Sequence, residues 1–267
     1  MRDGVIYVAT GAEHLALARQ SAESLRRTNP GVPVDLFTDA PADAGAGLFD
    51  RVFPVPAAHQ RAKLDCFALS RFDRTLFLDS DTLVLAPLGD LFEVADRFDL
   101  ALAHDVRRRS ALVREGLAEA TPYAFPQLNS GVLLYRKSPA ALAFFAEWAR
   151  LYRDSGVSRD QVVLKDLLWR SELRFYVLPP EFNLRRVTLL DAWEPLDARP
   201  TILHSHRLKD HLAGGAAVTG LDAVLELERA ALLAEWADHG LPRDRLRQAG
   251  EILDVLLAGL AGSRAAE

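Results

Sequence analysis

Leu76-Phe77-Leu78-Asp79-Ser80-Asp81-Thr82-Leu83-Val84-Leu85 decides the reading of this chain. An apolar run with the composition of a buried strand breaks into two carboxylates one residue apart, and a second apolar segment follows at once. Side chains of a strand alternate between faces, so positions 79 and 81 can share a side. Two carboxylates on one side of a strand end repel each other unless a cation lies between them. Hard divalent ions take such oxygen ligands and can hold phosphate oxygens as well. The D-x-D therefore points to a metal–diphosphate site. Asp-Ser-Asp is also ordinary turn chemistry, so taken alone the pair leaves both readings open.

Upstream, Val5-Ile6-Tyr7-Val8-Ala9 is short, apolar and β-branched, as a buried strand would be. Leu15, Ala18, Ala22 and Leu25 share one face of a helix predicted over 12–28, which Asn29-Pro30-Gly31 stops. Val34-Asp35-Leu36-Phe37-Thr38 is the next strand. Strand–helix–strand opens a parallel sheet, and in such sheets ligands bind at the carboxyl ends of the strands. Thr10 and Asp39 sit at those ends, as ligand contacts or as simple loop residues.

Downstream, residues 59–72 read as a helix leading into a 75–79 strand. A short helix is expected over 90–98 and a strand at Leu100-Ala101-Leu102-Ala103. Residues 105–125 are polar and Arg-rich (Arg107, Arg108, Arg109, Arg114), either a loop or short helix near a substrate or a solvated basic surface. Asn129-Ser130-Gly131 precedes a strand at Val132-Leu133-Leu134-Tyr135. Helices follow over 139–153 and 160–169, the second opening with Asp160-Gln161. Strands at Phe175–Leu178 and Thr201–His204 complete an α/β pattern, and the last delivers His204, His206 and Lys209 at or beyond its end. From about residue 221 the texture changes. Two Ala- and Leu-rich helical stretches, 221–238 and 243–260, flank His239-Gly240-Leu241-Pro242, as in a helical hairpin. The expected organisation is a catalytic domain over 1–220 and a helical extension over 221–267. The hairpin packs on its own domain, or its apolar stripe serves a homodimer or a lipid surface.

Composition narrows the function. A chain of 267 residues with 49% hydrophobic content can build a substantial core. A formal net charge of -5 argues against nucleic acid as a partner. A single cysteine, Cys66, excludes an intrachain disulfide and fits a reducing compartment. No apolar run approaches the roughly 20 residues that span a bilayer, and the N-terminus lacks a signal-peptide core, so a soluble cytoplasmic protein is expected.

Six segments fall into one order: Lys63-Leu64-Asp65-Cys66-Phe67, the D-x-D stretch, Leu128-Asn129-Ser130-Gly131-Val132, Asp160-Gln161-Val162-Val163-Leu164, Leu178-Pro179-Pro180-Glu181-Phe182-Asn183, and Ile202-Leu203-His204. Over residues 4–210 this resembles the glycogenin-like (GT8-type) retaining glycosyltransferases, which have the GT-A fold: a Rossmann-like, mostly parallel central sheet flanked by helices. The resemblance implies that Asp79 and Asp81, with Ser80 between them, form the D-x-D that holds Mn²⁺ (or Mg²⁺) on a nucleotide-diphosphate sugar. It implies that His204 completes the metal site and that Lys63 reaches the donor. Asn129 and Ser130 match the segment near the donor sugar, and Asp160 and Gln161 the pair close to the reacting sugar. Val8, Ala9 and Thr10 match the strand end that cradles the base, usually uracil. The family's H-x-x-G-x-x-K-P-W ending departs here to His204-Ser205-His206-Arg207-Leu208-Lys209-Asp210-His211. That leaves Lys209, Arg207 and His206 open for the diphosphate contact. The acceptor has no counterpart in these motifs.

Other classes fit less well. Haloacid-dehalogenase phosphatases carry D-x-D-x-T, and Leu83 occupies the threonine position here. Sugar nucleotidyltransferases carry a Gly-rich basic loop near the N-terminus, which Thr10-Gly11-Ala12-Glu13-His14 is not. A non-catalytic binding module of the same fold remains an alternative.

Overall fold

An unbroken apolar run suits a strand covered on both faces, and β1 (Asp3–Ala9) is such a strand. The computed structural model describes residues 1–215 apart from 107, 109, 119, 188, 189 and 191–195, and beyond them residues 224, 225, 228–231, 233 and 234. After β1 come α1 (Ala12–Thr28), β2 (Val34–Thr38), β3 (Arg51–Pro54), α2 (Lys63–Cys66), β4 (Arg74–Leu78) and β5 (Thr82–Val84). Then follow β6 (Leu100–His104), α3 (Ala111–Arg114), β7 (Leu128–Arg136), α4 (Pro139–Ser155) and α5 (Asp160–Arg170). β8 (Phe175–Leu178), β9 (Ile202–His204) and α6 (Leu208–Ala213) close the series.

Seven strands form one sheet in the order β3-β2-β1-β4-β7-β6-β8, and β5 pairs with β9 in a small second sheet. The large sheet is mixed. Its β1–β2, β1–β4, β2–β3 and β6–β8 pairs are parallel, whereas β7 runs antiparallel to both β4 and β6. The expected GT-A architecture, an α/β fold with a mostly parallel sheet, is therefore present with one reversed strand.

Strand alternation feeds two cores. Val5, Tyr7, Leu76, Leu78, Val132 and Leu134 face one side, where α1 contributes Leu15, Ala18, Ala22 and Leu25. Ile6, Phe77, Leu133 and Tyr135 face the other, under Phe144, Phe145 and Trp148 of α4 and Val163, Leu164 and Leu167 of α5. Burial on this scale supplies the main driving force for folding. α4 is delimited by its own residues: Ser138 caps Ala141 N–H at 3.1 Å, Pro139 occupies the first turn, and Gly156 at φ 67° ends it.

Three expectations are corrected. The helix predicted over 59–72 shrinks to α2 and a 3-10 turn at Phe67–Leu69. Side-chain bonds take over its backbone: Tyr135 Oη, distant in sequence, donates to Phe67 O at 2.6 Å, and Ser70 Oγ accepts locally from Phe72 N–H at 3.2 Å. Asn129-Ser130-Gly131 does not precede its strand but lies inside β7, because buried side-chain partners replace solvent for Asn129 and Ser130. The segment predicted over 90–98 is a 3-10 helix, Leu91–Asp96. β3 was not anticipated. It is short, and Pro54 suits the sheet edge that it occupies.

By contacts the chain divides into units Met1–Gly220 and Leu221–Glu267. The helical hairpin expected over 221–260, with its dimer and lipid alternatives, lies outside the described residues save for a few helical positions between 224 and 234. Among the described residues no helix is long and apolar enough to cross a membrane.

Candidate active site

In an open α/β sheet ligands collect beyond the carboxyl ends of the strands, where the strand order reverses. Here β2 and β4 lie on opposite edges of β1, so that point is the gap between β1 and β4. Thr10 follows the end of β1 and Asp79 follows the end of β4.

Backbone bonds shape the D-x-D. Asp79 N–H donates to Gly131 O at 2.7 Å, and Thr82 Oγ1 donates to Asp79 O at 2.8 Å. β5 then pairs antiparallel with β9, setting Thr82 opposite His204. Ser205 N–H donates to Asp81 O at 3.0 Å. As a result His204 Nε2 lies 3.3 Å from Asp81 Oδ1 and 3.9 Å from Asp79 Oδ2. One ligand atom from each of Asp79, Asp81 and His204 falls within 4.8 Å of the others.

A hydrogen-bond chain sets the face of the imidazole. Gly131 N–H, which can only donate, reaches Asn129 Oδ1 at 3.0 Å. Asn183 Nδ2 donates to the same oxygen at 2.9 Å, which leaves Asn183 Oδ1 facing His204 Nδ1 at 3.0 Å. The His204 proton therefore belongs on Nδ1, and the Nε2 lone pair looks toward two carboxylates. Such an arrangement calls for a cation between them. The donor set, two carboxylates and one imidazole held by a side-chain partner, fits a divalent ion. Gly131 keeps the space clear: a Cβ there would overlap His204 Cε1 and come within 2.7 Å of Asp79 Oδ2.

Behind the triad lies a buried charge cluster. Lys63 Nζ donates to Asp79 Oδ1 at 3.1 Å, to Ser130 O at 3.2 Å and to Ser130 Oγ at 3.1 Å, and stands 3.7 Å from Asp160 Oδ2. Asp160 also accepts from Ser130 Oγ at 2.7 Å and pairs with Arg61 at 3.1 Å. Burial disfavours the Asp160 carboxylate, but Lys63 and Arg61 with the Ser130 bond outweigh it and hold its titration below the usual range. Asp81 behaves alike: burial opposes its charge, and a proton on His204, or a cation in that proton's place, outweighs the burial together with Arg185.

The other predicted site residues separate into groups. Val8, Ala9 and Thr10 line the end of β1, and Gly11 N–H there donates to Asp39 Oδ1 at 3.0 Å, joining the β1 and β2 ends. Ser80 is buried and 3.2 Å from His14 Nδ1. Gln161 bridges Asn129 Nδ2 at 3.3 Å and Asp105 Oδ2 at 2.6 Å. Lys209 lies on α6 in an exposed pair with Glu13 at 2.8 Å. His206 is exposed beyond β9, which ends at His204. Sequence reasoning missed Arg61 and Asp105, and it quoted Asn183 without a role. Asn183 had a signal in its place after the Pro179-Pro180 strand end; a lone Asp105 in an Arg-rich loop had none.

The fold has known counterparts. Galactosyltransferase LgtC in complex with donor and acceptor sugar analogues aligns with 81% of this chain and 96% of its own, at 17% identity and a TM-score of 0.53. The chain has the GT-A fold of the GT8, glycogenin-type glycosyltransferases. Mouse xyloside xylosyltransferase 1 aligns with 78% of the chain and 99% of its own, at 17% identity and a TM-score of 0.53. The glycosyltransferase GlyE of Streptococcus pneumoniae TIGR4 aligns with 90% of the chain and 65% of its own, at 18% identity and a TM-score of 0.54. In sequence, Glycogenin-1 of Oryctolagus cuniculus is 35% identical over 77 residues. Those residues are 28% of this chain and 17% of that protein. No family model matches the chain.

Proposed function

We propose that this chain moves a hexose from a UDP-linked sugar to an acceptor with retention of anomeric configuration, using Mn²⁺ or Mg²⁺. The observation that carries the reading is the His204 Nε2 lone pair directed at Asp79 and Asp81, at the gap between β1 and β4. Asp79, Asp81 and His204 hold the metal, which when bound offsets charge building up on the departing diphosphate. Val8, Ala9, Thr10 and Asp39 receive the nucleoside. Lys63, fixed by Asp79 and Ser130, presents positive charge beside the donor. Asn129, Asp160 and Gln161 position the sugar, with Asp160 holding Lys63 and Arg61 in place. In the retaining GT-A reaction the bond from the anomeric carbon to the diphosphate breaks. A bond to the acceptor oxygen forms on the same face, and the acceptor proton passes to a diphosphate oxygen. Residues 1–220 supply this machinery.

The test is donor hydrolysis and transfer with a panel of nucleotide sugars, with chelator and then with Mn²⁺. Chelation is expected to abolish UDP release and Mn²⁺ to restore it, and NMR of the product from an α-linked donor should show an α-linkage. Metal-dependent UDP binding without any UDP release would identify a non-catalytic module. Full activity in excess chelator, or a β-linked product, would overturn the proposal.

A further inference from the structure

Beside the triad lies a cavity of about 630 Å³, within the roughly 300–1,000 Å³ of small-molecule sites. It shares Asn183 with the His204 network and Asp105 with Gln161. Its lining is cationic although the chain is acidic overall: Arg108, Arg185 and Arg186 stand around it. Asp105 is the one carboxylate among the described lining residues, and both its oxygens are engaged, by Val106 N–H at 2.7 Å and Gln161 Nε2 at 2.6 Å. Burial, then the charge of Arg108, lowers the titration of His104, so that imidazole stays neutral near neutral pH and the guanidinium groups carry the charge. Arg185 Nε is buried with no hydrogen-bond partner among the described residues. A buried donor left unpaired is costly, and a ligand acceptor would relieve it.

Guanidinium groups match carboxylate and phosphate oxygens in a two-pronged fork. We infer that the cavity receives the acceptor, and that this acceptor is a sugar bearing a carboxylate or phosphate held by Arg108 and Arg185. The inference rests on the glycosyltransferase reading and adds the substrate class that its motifs leave open. Tyr123, in the same lining, offers an aromatic face to the sugar ring.

Calorimetry on the full chain separates the two readings. UDP with Mn²⁺ is titrated first; absence of binding would sink the donor reading alone. Glucose, glucuronate and glucose 6-phosphate are then titrated, with UDP and Mn²⁺ saturating if they bind, so that the anion cannot occupy the diphosphate position. At least one anionic sugar is expected to bind tenfold or more tightly than glucose, and the two anions show whether carboxylate or phosphate is read. Arg108→Ala and Arg185→Ala should each erase most of that preference, and Arg108→Lys should keep part of it. Thermal melting checks that the variants fold. Equal affinity for glucose and both anions, or a preference unchanged in both alanine variants, would overturn the inference.

Discussion

Gly131 and His204 occupy one another's space so closely that a single added methyl would not fit: a Cβ on Gly131 would overlap His204 Cε1. The glycine is required for clearance, since its strand conformation is one that any residue adopts. Gly131→Ala is therefore expected to displace the imidazole and weaken metal-dependent UDP binding at least tenfold, with a stability cost of ~1–3 kcal/mol for overpacking. Calorimetry with UDP and Mn²⁺ and a denaturant titration measure the two effects. Wild-type affinity in this variant would show that the imidazole can move without loss.

Asn183 makes a different demand. It touches none of the carboxylates of the triad in the bonds described, yet its Oδ1 sets the His204 tautomer. Removing such an outer partner typically costs about 10–100-fold in metal affinity. Asn183→Ala should show that loss in Mn²⁺ titrations, with the His204→Ala loss larger still. Unchanged Mn²⁺ affinity would mean that the ring holds its orientation unaided.

Lys63 is the counter-charge for two carboxylates. It is buried, and Asp160 beside it is 2% exposed. Lys63→Ala strands Asp160 with Arg61 and Asp79 with the triad, and breaking a buried pair in this way costs roughly 3–5 kcal/mol. Lys63→Arg, which keeps the charge in a larger head, should cost less. Urea unfolding decides, and a loss under ~1 kcal/mol for the alanine variant would contradict the buried-pair account.

Cys66 tests the core itself. Burial pushes its thiol up to about 12, with Asp65 adding to the shift. A buried thiol held neutral is a poor nucleophile. The folded chain should leave a disulfide reagent unreacted at about pH 8, and denaturation should release one thiol per chain. Rapid reaction of the native protein would mean that the layer over Cys66 opens readily.

These residues also show what was legible beforehand. The bounds of α1, β2 and β8 follow from apolar spacing and their stop signals, which are local properties. Asp79, Asp81 and His204 meet as expected: one apolar strand leads into the Asp79-Ser80-Asp81 stretch, and Ile202-Leu203 leads into His204. The reversed direction of β7 left no local mark, since a buried strand has the same composition either way. Residues 59–72 carried helical spacing, but Tyr135, distant in sequence, claims the carbonyl of Phe67. Asp105 was invisible because its meaning comes from Gln161, 56 positions away.

Lys209 is the remaining question at the diphosphate. Sequence order placed it beyond His204 as a cation for the leaving group, alongside Arg207 and His206. In the structure it pairs with Glu13 on the first turn of α1, and the next residue, His14, meets Ser80 of the D-x-D. Both members of the Glu13 pair are about half exposed, and ion pairs of that kind hold their partners weakly. A diphosphate, with more charge and more acceptors than one carboxylate, can compete for the ammonium. Lys209→Ala is therefore expected to lower UDP affinity severalfold in the presence of Mn²⁺, while Mn²⁺ binding alone is largely kept. Glu13→Gln should act in the opposite direction, since it frees the lysine and removes a carboxylate near the phosphates. Calorimetry of both variants with UDP checks the pair of signs. If neither substitution changes UDP affinity, Lys209 serves only to join α6 to α1, and the diphosphate contact passes to Arg207 or His206.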